Sequence, residues 1–178
     1  RRKANRGRSW PHPLALVSVV LGLALSFGSA NANHVDQFTQ FQRATDLTVG
    51  DGGVSSSTST GVASILGGQR DIMATMLTTS GGTDAKADLV TFPAGTSGRM
   101  AFGLPPGVQG TGLLQWDGPD QDIALTFGLN ADLTLNGAAN ALKFDLILAD
   151  MDFRYQIDAY TSATRYTSIL LHGAHTTT

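Results

Sequence analysis

The chain has 178 residues with 12 Lys or Arg against 14 acids, a net charge of −2, 21 Gly and no cysteine. Without a thiol it can use neither a disulfide nor a cysteine nucleophile nor a thiolate metal site. All 14 acids are Asp, a residue of turns and caps where Glu would favour helix interiors, so the composition argues for a loop-rich β protein over a helical one.

The chain begins with Arg rather than Met, so the expectation is that its reading frame starts earlier. Residues 1–32 read as a secretory signal: Arg1, Arg2, Lys3, Arg6 and Arg8 form a basic region, 14–27 is an apolar run, and Ala30-Asn31-Ala32 supplies a small-x-small cleavage pattern. The run is shorter than the roughly 20 residues of a spanning helix, and the alternative is an uncleaved N-terminal anchor. Residues 33–178 are left as one domain with no expected membrane span. Losing five basic residues leaves seven, against the 14 Asp, a net of −7. Such a surface argues against nucleic acid and anionic lipid as partners.

Residues 33–45 form a polar lead-in, or a first edge strand, whose Phe38 and Phe41 are expected to dock on the core. The Gly, Ser and Thr cluster over 46–61 is read either as a linker or as an exposed edge strand at 54–60. Gly67-Gly68 gives the backbone freedom to turn, and 71–78 follows as a strand with Ile72, Ala74 and Met76 on one face. Arg70-Asp71, at its start, reads as a structural ion pair or a cap. Short alternating strands are expected at 87–92, 99–104, 112–116, 123–129 and 167–171, separated by Gly and Pro. Asn136-Gly137 is a strong turn signal.

The stretch 142–160 alternates twice about Asp150: Leu142, Phe144, Leu146 and Leu148 share one face, then Met151, Phe153, Tyr155, Ile157 and Ala159. Period two over that length predicts two half-buried strands meeting at a corner. The fold expected from eight to ten such strands is an all-β antiparallel sandwich, of jelly-roll or lectin-like type. A parallel β-helix is the runner-up, without a repeat period to support it.

The densest polar group is Trp116-Asp117-Gly118-Pro119-Asp120-Gln121-Asp122. Asp117, Asp120 and Asp122 could offer hard oxygen ligands to calcium, although a solvated turn explains the same residues. Trp116 is a candidate ligand-binding residue, able to stack on a sugar ring, against the plainer reading of a core tryptophan. His172 and His175 lie in a terminal tail, no Ser sits in a Gly-x-Ser-x-Gly elbow, and no pair of Asp stands out as a glycosidase couple. No catalytic residue is assigned, and no cofactor other than calcium is considered.

Ile65-Leu66-Gly67-Gly68-Gln69-Arg70-Asp71-Ile72, then Leu114-Gln115-Trp116-Asp117-Gly118, then Leu142-Lys143-Phe144-Asp145-Leu146-Ile147-Leu148-Ala149-Asp150 together resemble exported bacterial proteins of the exosortase-sorted (PEP-CTERM) type. In those, a stretch like ILGGERDL precedes one like VQWDG and one like FRFDVLSAD. The resemblance implies a β-sandwich delivered to the cell envelope or extracellular matrix, with no enzymatic activity to carry over. Gln69 stands where an acid is usual, and residues to Thr178 include no Pro-Glu-Pro motif, apolar helix and basic tail, so the expectation is a fragment or a simply secreted member. The function expected is a non-enzymatic surface or matrix module for structure or adhesion, with extracellular polysaccharide or other surface proteins as partners. A carbohydrate-binding lectin-like domain, calcium-dependent or not, is the alternative.

Overall fold

The computed structural model describes residues 15–16, 24–25 and 33–173, apart from 83, 95–97, 135, 138–140, 142, 144, 146, 148, 150 and 151. The leader expected over 1–32 therefore lies almost wholly outside the described residues, as do His175 and the alternating apolar positions Leu142, Phe144, Leu146 and Leu148.

The fold is an all-β sandwich of two three-stranded antiparallel sheets. Among the described residues the strands longer than two residues are β1 (Gln42–Asp46), β2 (Val54–Ser57), β3 (Asp71–Thr79), β4 (Ala87–Phe92), β5 (Arg99–Gly103), β6 (Val108–Gln115), β7 (Phe153–Ser162) and β8 (Arg165–Gly173). One sheet runs β1-β4-β5 and the other β2-β3-β6. They face each other, β1 against β2 and β3, β4 against β3 and β6. β7 and β8 pair antiparallel, from Phe153 opposite Gly173 to Tyr160 opposite Tyr166, with a register shift before Ser162 meets Arg165, and the two-residue strand Ala15–Leu16 lies parallel beside β7. Among the described residues no helix is long and apolar enough to cross a membrane.

Alternation explains which side chains fill the interior. Ile72, Ala74 and Met76 of β3, each at most 2% exposed, meet Ala44 of β1 and Ala87 and Leu89 of β4. β6 contributes Val108 and Leu114, and between them Gly112 leaves the space taken by the Phe102 ring, whose nearest atom would lie 3.0 Å from an added Cβ. Val35, Ile65, Leu104 and Trp116 close the core, and Ile157 joins it from β7. A register shift between Met76 and Thr78 interrupts the β3 ladder with β6. There the buried Asp46 takes the Met76 amide on Oδ2 at 2.6 Å, so a bulge that would orphan a donor is satisfied by a side chain.

Several expectations are corrected. Residues 123–129 form no strand, and Leu125 and Phe127 are exposed. The Thr126 amide is held by the Asp117 carboxylate at 2.6 Å, and the Ala124 amide by Asp122 at 2.7 Å, so donors that a ladder would need are already engaged. Phe41 is 63% exposed, while Phe38 packs on the core. In 142–150 the described Asp145, Ile147 and Ala149 lie outside any strand, and Ile147 is 74% exposed; the second half of that stretch does form β7. The turn at Asn136-Gly137 is present, both residues having positive φ, 58° and 84°.

Candidate metal centre and adjoining cleft

Two of the sequence motifs converge at one end of the sandwich because their strands are partners. Asp71, the first residue of β3, lies opposite Gln115, the last of β6. Leu66–Gly68 makes the tight 3-10 turn before β3, with Gly67 at φ 69°, where a Cβ would meet the Leu129 side chain at 2.7 Å. The turn delivers Gln69, Arg70 and Asp71, all at most 1% exposed, into the interior.

Arg70 and Asp71 go to opposite sides, as neighbours in extended backbone do. The Arg70 guanidinium is paired with Asp36 instead of its neighbour: Nη1 donates to Asp36 Oδ2 at 2.6 Å, with both side chains 0% exposed. Its Nε donates to Gln42 Oε1 at 2.8 Å, and Nη2 to Gln40 O at 3.1 Å and Thr91 Oγ1 at 3.3 Å. Phe38 lies under it, 5.1 Å from ring centroid to Cζ. Trp116 Nε1 donates to the same Asp36 oxygen at 2.9 Å. Trp116 is thus a core residue, 9% exposed, with a fixed polar edge, and it also contributes to the lining of the cleft described below.

On the other side Asp71 meets Asp117 and Asp120, with one oxygen from each carboxylate within 4.8 Å of the other two. Gln69 Nε2 donates to Asp71 Oδ1 at 3.4 Å. Asp117 Oδ2 accepts from Gln115 Nε2 at 2.7 Å, the Thr126 amide at 2.6 Å and Thr126 Oγ1 at 3.2 Å. Asp120 Oδ2 accepts from Thr126 Oγ1 at 3.0 Å. The opposite oxygens, Asp71 Oδ2, Asp117 Oδ1 and Asp120 Oδ1, are buried without a hydrogen-bond partner. Burial pushes the Asp71 carboxyl up to about 6; the Ser57 side chain close by opposes the rise, and the charges of Asp120, Asp117 and Asp122 add to it.

Of the three carboxylates singled out from sequence, Asp117 and Asp120 belong to this cluster and Asp122 does not. Asp122 is exposed and caps its own turn. The member that sequence reasoning missed is Asp71, far away in the chain; the signal that could have found it is the order of the two motifs, one opening a strand and the other closing its partner.

Beside the cluster, a cleft of about 440 Å³ is lined by the 125–133 segment and by residues of β7. Its walls include Phe127 and Tyr160, 45% and 39% exposed, whose rings meet edge to face at 5.6 Å, and its rim carries Asn130, Asp158 and Ser162. Compared with known families, curated proteins and solved structures, the chain matches none.

Proposed function

We propose that this chain is a non-enzymatic exported module of the cell surface or extracellular matrix that acts in structure or adhesion by holding extracellular polysaccharide. The observation that carries the binding reading is the cleft. Half-open aromatic surfaces at Phe127 and Tyr160 suit the C–H faces of sugar rings, and Asn130, Asp158 and Ser162 offer acceptors and donors for hydroxyls at its rim. A third aromatic, Tyr166, extends the row, its centroid 5.2 Å from that of Tyr160. The export reading rests on the basic and apolar leader and on the motif resemblance, and it sets the kind of ligand met outside the cell.

Binding is favoured over turnover because the one strongly shifted carboxyl among the described residues, Asp71, is 1% exposed and so screened from a bulky substrate. The test is affinity electrophoresis and a glycan array with the purified chain and with Tyr160→Ala. Retention on at least one polysaccharide, weakened at least fivefold by the substitution, supports the reading. No retention removes it. Release of sugar products, abolished by a single Asp→Asn change, would replace it with a hydrolase.

A further inference from the structure

We propose that Asp71, Asp117 and Asp120 bind a single calcium ion at the end of the sandwich. Three features of the cluster point to a ligand beyond a mere gathering of acids. Each carboxylate is split in role, one oxygen fixed by donors from Gln69, Gln115 or Thr126 and the other buried with no partner. Two of the three unpartnered oxygens belong to side chains more than nine-tenths buried, Asp71 at 1% and Asp117 at 8% exposed. The buried cation next to Asp71 in the chain, Arg70, is turned away and occupied by Asp36, Gln42, Gln40 and Thr91.

Leaving a buried carboxylate oxygen unsatisfied costs about 1–3 kcal/mol, more when it is charged. Three carboxylates that approach within 4.8 Å, each with such an oxygen, call for a common partner, and a proton or a cation is the kind that also offsets their charge. A proton neutralises one carboxyl. A divalent ion serves all three, and the donors on the opposite oxygens then act as an outer shell that holds the ligands in position.

The donor set decides the class of ion. It contains only carboxylate oxygens, with no imidazole or thiolate, which selects a hard cation over zinc or copper. Carboxylate oxygens that all lie within 4.8 Å of one another fit inside a calcium shell, about 5 Å across, and the flexible geometry of that shell suits three side chains from separate loops and strands. Asp120, the least buried of the three, marks the side from which the ion enters and on which water completes the coordination.

The inference is independent of the saccharide reading. Its test is titration of the EDTA-treated full chain with CaCl₂ and, separately, MgCl₂, followed by calorimetry and by thermal melting. Terbium luminescence sensitised through Trp116, the residue before Asp117, gives a second readout. Expected are one calcium per chain, a melting temperature raised by several degrees at saturating calcium, a smaller rise with magnesium, and terbium emission quenched by added calcium. Asp71→Asn and Asp117→Asn should each weaken calcium binding at least tenfold, while Asp122→Asn, which removes a nearby charge but no ligand, should weaken it far less. A wild-type chain with no calcium heat and no melting shift overturns the site, and so does calcium binding that survives both Asp71→Asn and Asp117→Asn. Should either variant fail to fold, Asp120→Asn, at the more open position, decides by the same criteria. Calcium uptake without glycan binding would sink the proposed function and leave the site standing; the reverse outcome would do the opposite.

Discussion

Replacing Arg70 by Ala is the perturbation with the largest expected cost. The guanidinium and its partner Asp36 are both fully buried, and the Arg70 side chain makes four hydrogen bonds between 2.6 and 3.3 Å. Removing it leaves the Asp36 carboxylate inside the protein with only Trp116 Nε1 and the Phe38 amide as donors. Breaking a buried pair by deleting one member costs about 3–5 kcal/mol, against about 5–15 kcal/mol for a whole domain. With a urea slope of about 2 kcal/mol per molar, the midpoint should fall by about 2 M. Urea unfolding followed by tryptophan fluorescence measures it. The double change Asp36→Asn with Arg70→Met should cost at least about 1 kcal/mol less than the sum of its two single changes, because it leaves no unpaired charge. A loss under about 1 kcal/mol for Arg70→Ala, or strict additivity in the double variant, would refute the reasoning.

The raised Asp71 carboxyl gives a pH signature. Because it holds its proton more tightly folded than unfolded, its contribution is full below pH about 4 and lost as pH rises through about 6. In calcium-free buffer the wild type should therefore lose on the order of 3 kcal/mol relative to Asp71→Asn across that window, a difference read by urea midpoints at successive pH values. Leu89→Ala, at a site with 0% exposure, should cost about 2–5 kcal/mol by chemical denaturation. Gly67→Ala, at φ 69°, should cost at least about 1–2 kcal/mol by the same method. EDTA should weaken polysaccharide retention, since Thr126 ties Asp117 and Asp120 to the segment bearing Phe127; retention unchanged by EDTA would separate the two sites.

Much of the sandwich was legible because period two is a local signal. Residues 71–78 were expected to turn Ile72, Ala74 and Met76 inward, and all three are buried in β3. The strand expected at 87–92 is β4, and 99–104 differs from β5 by one residue. The signal failed at 123–129, where the alternation Ile123, Leu125, Phe127, Leu129 is as clean as any in the chain. There Asp117 and Asp122 claim backbone amides from the side, a contest that hydrophobic pattern alone cannot register. The acid cluster was half visible for a related reason. Asp117 and Asp120 are neighbours in sequence, whereas Asp71 is brought to them by strand pairing, and Asp122 was included only through its proximity along the chain. Arg70 reads from sequence as structural, an ion pair or a strand-start cap; the partner that sequence does not show is Asp36, brought near by the bridge between Asp36 and Ile65.

Asp36 also fixes how much of the N-terminal end can be dispensed with. It lies just past the cleavage point expected after Ala32, and its carboxylate is shared by the Arg70 fork and the Trp116 ring nitrogen. A peptidase that trims inward would already take a core side chain with Val35, which is 6% exposed. One step further it would strip the counter-ion from the middle of the molecule, turning a gradual erosion into an abrupt collapse.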